Sequence, residues 1–311
     1  MSLIEQAANR LEQLRKAGVD IPDDPIFPEK IAPATATKPA APVKAAVPPA
    51  AAVDSKAKRV EIDFEVLRAA DFITPTSPRS QLADEFRVIK RPLIDNAMGK
   101  GAAPLVNGNL IMVTSAVPGE GKTFTAINLA MSIAMELDTT VMLVDADVAK
   151  PSVLNVLGLD PRPGLLDVLL KDSLDLSDVL LKTNVEKLTF LPAGTQHPRA
   201  TELLASESMA RLLADMARRY DDRIIIFDSP PLLVTTEARE LASHMGQIIM
   251  VTRAEYTLQG QVKQALAAIE ACPVKLMLLN RVSPDPMGTY GYGYSYGYGS
   301  GYGQAKTASE R

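Results

Sequence analysis

An α/β fold, a mostly parallel sheet with helices on both faces, is the class this sequence of 311 residues predicts, over roughly residues 105–285. Three observations point there. Short apolar runs such as Ile224–Phe227 and Ile248–Val251 alternate with longer segments of helical periodicity, as strands buried on both faces do. A composition of 47% hydrophobic and 23% charged residues supports a sizeable core and excludes a wholly disordered or collagen-like chain. The prolines crowd the N-terminal third, whereas seven glycines and six of the eight tyrosines lie within residues 288–303. The core therefore carries two arms, and length alone overstates the number of domains.

In chain order, residues 1–18 read as an amphipathic helix. Ser2 and Glu5 suit a capping box, Leu3, Ile4, Ala7, Ala8, Leu11 and Leu14 form the apolar stripe, and Gly18 is the stop. A helix this short is marginal alone, so it either leans on its own protein or docks onto a partner. Residues 19–59 are an Ala/Pro/Lys-rich, semi-extended linker. Residues 60–104 are a helical lead-in, with a charged helix over Ser80–Arg91 ending before Pro92.

Within 105–285 the spacing predicts strands at Leu110–Thr114, Val141–Asp145, Arg223–Asp228, Gln247–Thr252 and Lys275–Asn280. Helices are expected at Thr123–Leu137, Thr201–Arg219, Thr236–Ser243 and Leu258–Ala271. Residues 286–311 form a Tyr/Gly-rich tail.

A net charge of −4 argues against nucleic-acid binding. Cys272 is the only cysteine, so an intrachain disulfide is excluded and a reducing, cytoplasmic setting is expected. Met1–Arg10 lacks an apolar h-region and is not read as a signal peptide. No apolar run approaches the ~20 residues of a membrane helix, so association with the membrane is expected only through a partner. His197 and His244 are too few and too separated for a catalytic dyad.

The strongest local signal is Leu110–Thr125, LIMVTSAVPGEGKTFT: a buried strand, a glycine-containing loop, and Gly121-Lys122-Thr123 opening a helix. Phosphate needs converging backbone N–H groups and the positive end of a helix. Lys122 would reach the β/γ-phosphates, and the Thr123 hydroxyl would ligate Mg²⁺. The first glycine of G-x-x-x-x-G-K-[ST] is replaced by Ala116. Asp145, Asp147 and Asp228 fall at or just beyond strand ends, and parallel strands bring their C-terminal ends to one edge. Such carboxylates suit a hard, partly hydrated cation.

Together, Ser115-x-x-Pro118-Gly119-Glu120-Gly121-Lys122-Thr123, Asp145-Ala146-Asp147 and Phe227-Asp228-Ser229-Pro230-Pro231 resemble the Walker A, A′ and B motifs of the bacterial tyrosine kinase family. Over about residues 60–303 the chain is most similar to the exosortase-associated tyrosine autokinases of exopolysaccharide gene clusters. The resemblance implies a P-loop NTPase fold, with ATP and Mg²⁺ as cofactors. It also implies tyrosine autophosphorylation, an activating membrane polysaccharide co-polymerase, an opposing protein-tyrosine phosphatase, and control of polymer synthesis or export from the inner membrane's cytoplasmic side.

Carried over by motif, ATP contacts fall to Ser115, Pro118, Gly119, Glu120, Gly121, Lys122, Thr123, Phe124 and Asn280, with Lys122, Asp145 and Asp147 catalytic. Thr123, Asp145, Asp147 and Asp228 form the metal set, and Asp145 is read as base or metal-side carboxylate. Ala149 stands where the family places an arginine, and Glu237 where an aspartate is common. The family's ring-forming E-x-x-R-x-x-R is matched only as Asp84-x-x-Arg87-x-x-Lys90, and neither a shorter acid nor a lysine reproduces a bidentate pair.

Tyr290, Tyr292, Tyr294, Tyr296 and Tyr298 recur at every second position, with Tyr302 beyond. Intervening glycines disfavour a strand, so a flexible tail of phosphoacceptors is expected, the alternative being a low-complexity solvated segment. Two other functions compete. A partitioning or septum-placement ATPase would need its signature lysine where Val117 stands, and a weakly catalytic adaptor of a polysaccharide co-polymerase would act through the N-terminal helix.

Overall fold

The computed structural model describes residues 58–101, 103–171, 173–220 and 222–283. The N-terminal helix, nearly all of the linker and the six tail tyrosines lie outside the described residues. Strands β1 (Lys58–Arg59), β2 (Leu110–Ser115), β3 (Thr140–Asp145), β4 (Leu181–Lys182), β5 (Leu188–Leu191), β6 (Arg223–Asp228), β7 (Gln247–Arg253) and β8 (Val274–Asn280) form one sheet. Its order is β1-β4-β5-β3-β6-β2-β7-β8, and every adjacent pair is parallel except β4 with β5.

The central strands are buried along nearly their whole length, apart from end residues such as Thr140, Arg223 and Arg253, because both faces are covered. Alternate side chains enter opposite cores, as a period of two requires. Met112, Met142, Ile225, Phe227 and Met250 belong to one core; Ile111, Val113, Leu143, Ile226 and Val251 belong to the other. Each fully buried side chain of this kind contributes about 1.5–3 kcal/mol. The second core is covered by α1 (Phe64–Ala69), α2 (Gln81–Ala97) and α3 (Lys122–Ala134) through Leu67, Leu93, Ile127 and Ile133. Short helices α4 (Val153–Val156), α5 (Leu165–Leu170), α6 (Leu176–Val179) and α7 (Ala200–Leu204) follow. After them come α8 (Glu207–Arg219), α9 (Glu237–Ser243) and α10 (Gln259–Ala268).

Three expectations are corrected. α2 runs through Pro92 to Ala97. Pro92 removes the N–H that would serve the Val88 carbonyl, but Val88 is 74% exposed, so water can serve it, while Leu93 just beyond is fully buried and holds the turn in place. The single helix expected over 201–219 is two, α7 and α8, because Ser206 adopts an extended backbone and its hydroxyl accepts from Met209 N–H. The strands β4 and β5 also stand inside a stretch for which no strand was expected. β5 extends the sheet beside β3 and is too short for periodicity to reveal.

Candidate nucleotide and phosphotransfer site

The register Val113↔Asp228 and Asp145↔Asp228 places β2, β6 and β3 side by side with their C-terminal ends level. The glycine loop therefore opens beside Asp145 and Asp228. Gly121 sits at φ 98°, and a Cβ there would meet Asn280 Nδ2 at 2.1 Å, so only glycine fits both the conformation and the space. Asn280 Nδ2 donates to Glu120 O at 2.8 Å, tying the end of β8 to the loop.

Two residues expected to touch nucleotide turn their side chains inward. Glu120 is fully buried; its carboxylate accepts from Val117 N–H at 2.7 Å, from Arg253 N–H at 3.4 Å and from the Thr257 hydroxyl. It braces the loop, leaving only its backbone for a phosphate. Ser115 is also buried and donates to Val117 O at 2.8 Å. Pro118 and Gly119 are exposed at the loop's crest, and Lys122 and Thr123 at the head of α3 are partly buried. Phe124 packs on Phe72 with ring centroids 5.0 Å apart and, with Asn280 and Arg281, lines a cleft of about 960 Å³.

The acidic side is tightly built. Thr123 donates to Asp228 Oδ2 at 2.7 Å and lies 3.1 Å from the Ser152 hydroxyl. Asp145 Oδ2 accepts from Ser152 N–H and Val153 N–H, each at 3.1 Å. Lys122 Nζ is 3.8 Å from Asp147, whose other oxygen accepts from Lys150 N–H. Burial and the neighbouring Asp228 charge push Asp145 up to about 8, against the two N–H bonds. Burial also pushes Asp228 up to about 7, against Thr123 and Lys122, and raises Asp147 from the usual carboxylate range. Asp145 Oδ1 and Asp228 Oδ1 are buried with no hydrogen-bond partner. Two orphaned carboxylate oxygens and mutually repelling charges fit a bound divalent cation.

Ser152 was missed by sequence reasoning; its only signal was a hydroxyl seven residues after Asp145, ordinary for a turn. Thr257, which with the Arg253 N–H braces Glu120, gave no signal because it lies more than 130 residues away. The expected oligomerisation triplet divides. Asp84 and Arg87 are exposed and pair with each other at 2.6 Å, but Lys90 is only 4% exposed, donates to Ser132 O and pairs with Glu136 at 2.8 Å. Lys90 is thus corrected to an internal tie between α2 and the end of α3.

A strand, a glycine loop and a helix that open beside carboxylates from two adjoining parallel strands define a P-loop nucleotide-binding protein. Residues 108–277 match the AAA domain family. Over 226 residues the chain is 32% identical to the tyrosine-protein kinase YwqD of Bacillus subtilis, covering 71% of this chain and 90% of that one. It is 31% identical to the tyrosine-protein kinase Wzc of Salmonella typhimurium over 188 residues, 59% of this chain but 26% of that longer protein. Among solved structures, the chimerical protein CapA2B2 matches with a TM-score of 0.59 at 28% identity, covering 73% of this chain and 94% of that one. The VpsO kinase domain matches at 0.53 and 26% identity, covering 66% and 100%. The chain belongs to the AAA-domain bacterial tyrosine-protein kinase family. No helix among the described residues is long and apolar enough to cross a membrane.

Proposed function

We propose that this kinase transfers the γ-phosphoryl group of Mg-ATP to the tyrosines of its own segment 288–303, and so regulates exopolysaccharide synthesis or export. The observation that carries the reading is the Thr123–Asp228 bond at 2.7 Å, with Lys122 facing Asp147 on the same sheet edge, in a chain that also holds six clustered tyrosines. Thr123, Asp145, Asp147 and Asp228 would hold the magnesium ion, which when bound neutralises phosphate charge. Lys122 and the loop N–H groups orient the phosphates. Asp145 or Asp147 takes the phenol proton. A tyrosine of pKa ~10 is only about 0.1% ionised at pH 7, so an adjacent carboxylate is needed.

The division into arm, linker, lead-in, kinase domain 105–285 and acceptor tail 286–311 belongs to the same reading. Asn280 and Arg281 would face the adenine from the large cleft that holds Phe124. β8 runs parallel to β7, so Ser283 leaves from the edge that holds the loop, which supports delivery of the tail to a site in the same or a neighbouring subunit. Ring assembly through Asp84 and Arg87, activation by a membrane polysaccharide co-polymerase, and reversal by a protein-tyrosine phosphatase complete the proposal. Intact mass after incubation with Mg-ATP tests it. Steps of one phosphate confined to peptide 288–303 are expected, and phosphate release without protein modification would sink the reading.

A further inference from the structure

Beside the catalytic centre lies a second cleft, of about 570 Å³. Pro151, Leu154, Leu159 and Pro163 supply apolar walls, and Arg162 and Gln196 supply polar groups. Pro151 is joined to Ser152, whose hydroxyl is 3.1 Å from Thr123, so the cleft adjoins the point of transfer. Arg162 Nε is buried with no hydrogen-bond partner, and the guanidinium makes no ion pair among the described residues. A partly exposed guanidinium whose buried Nε is unspent, between prolines and leucines, has the makings of a receptor for an anion carried on a flat ring. The planar fork matches a phosphate bidentately, and the apolar walls match an aromatic face. Lys150, exposed one residue before Pro151, adds positive charge at the rim.

We infer that this cleft is a phosphotyrosine-binding subsite that receives modified tyrosines of the tail, with Arg162 pairing with the phosphate. The inference rests on the reading that the tail is the acceptor. A product carrying about −1.5 to −2 charge is repelled by Asp145, Asp147 and Asp228, and Arg162 offers it a cation next door. The reach is adequate. Gln196 follows β5, which stands five strand positions from β8, about 24 Å at ~4.8 Å per position. Tyr290 lies seven residues after Ser283, a span of at most ~24 Å, so it is at its limit. Tyr292 to Tyr302 reach the cleft with slack, in the same subunit or a neighbour. A phosphotyrosine held here keeps the tail at the site while a later tyrosine reacts, which favours multiple phosphorylation in one encounter.

The test uses the full-length chain with its six tail tyrosines replaced by phenylalanine, saturated with Mg-ADP so that the P-loop is filled. A fluorescent 287–303 peptide phosphorylated at Tyr294 is titrated by anisotropy beside its unphosphorylated twin. The phosphopeptide should bind at least ~10-fold more tightly, Arg162→Gln should remove that preference with ADP affinity unchanged, and Arg162→Lys should retain part of it. Equal binding of the two peptides, or an unchanged preference in Arg162→Gln, overturns the assignment. A changed oligomer mass with the preference intact also overturns it, because the cleft is then a subunit contact. Should Arg162→Gln fail to fold, competition against the chain with Arg162 intact decides. Phenyl phosphate should displace the phosphopeptide and tyrosine amide should not; failure of phenyl phosphate to compete rejects the subsite. No phosphate transfer is needed for these readouts, so they stand or fall separately from the mass experiment on autophosphorylation.

Discussion

Replacing Glu120 by glutamine changes one atom and should loosen the phosphate loop measurably. The carboxylate is fully buried and accepts on both oxygens: Val117 N–H on one, Arg253 N–H and the Thr257 hydroxyl on the other. An amide has an acceptor on one side only. If its oxygen keeps the 2.7 Å bond to Val117, its NH₂ faces Arg253 N–H and the Thr257 hydroxyl; Arg253 N–H keeps its 3.1 Å bond to Thr257 Oγ1, but the hydroxyl must turn its own proton away and loses the carboxylate that accepted it. If the amide flips, the NH₂ confronts Val117 N–H and the shortest backbone bond of the brace is lost. The better arrangement still leaves one donor opposed and unsatisfied, a cost of about 1–3 kcal/mol. For a domain of this size that is a fall of roughly 2–12 °C in Tm, and a lower urea midpoint at unchanged slope. Mg-ATP affinity should fall as well, because Val117 and Glu120 set the path of the loop. A stability within about 0.5 kcal/mol of wild type, with nucleotide affinity intact, would refute the view that this buried acid braces the loop.

Three further outcomes are expected. Lys122→Met should lower phosphotyrosine formation by more than about 100-fold, read by intact mass, with stability changed by less than ~1 kcal/mol because its only ion pair among the described residues is the 3.8 Å contact with Asp147. The apoprotein should lose stability as pH rises. Asp145 and Asp228 are raised from 3.8 to about 8 and about 7, so each favours the fold below pH 3.8 and that benefit is lost progressively as pH rises through the folded-state values. Urea midpoints at pH 5.5 and 8.5 should show the fall, and Asp228→Asn or added Mg²⁺ with nucleotide should flatten it; a flat profile in the wild-type apoprotein would contradict the described acidic centre. Lys90→Met should cost about 1–3 kcal/mol by calorimetry, because it leaves the Ser132 carbonyl without its donor and Glu136 with the longer 3.6 Å contact to Arg91 in place of the 2.8 Å pair. Glu136, held below its usual range chiefly by Lys90, should titrate closer to an ordinary glutamate in that variant.

What could be read ahead of the structure depended on how far each signal extends along the chain. The strands at 110, 140, 223 and 247 announce themselves because burial on both faces makes nearly every interior position apolar, and the edge strand at 274, exposed at alternate residues, does so through its apolar run Leu276–Leu279. The loop Ser115–Thr123 does so because backbone approach to phosphate demands glycine and a helix start within a few residues. Asp145 and Asp228 were legible as strand ends. The division between α7 and α8 was not, because one capping serine at 206 inside an otherwise helical pattern looks like a tolerated polar residue. The extension of α2 past Pro92 depended on the exposure of Val88 and the burial of Leu93, and those are properties of the packed fold.

The sequence by itself determined the class of this protein, the phosphate loop and the clustering of its tyrosines, since each follows from residues close together in the chain. Only the tertiary structure decided which polar groups are spent internally and which are free to act. Glu120 and Lys90, one in the nucleotide motif and the other in an assembly-like motif, are turned inward by partners at Thr257 and Glu136, whereas Arg162, which belongs to no motif, keeps a buried Nε without a partner beside the site. The physical reason is that satisfaction of a buried polar group depends on neighbours brought together by the sheet order, and sequence separation carries no record of that order.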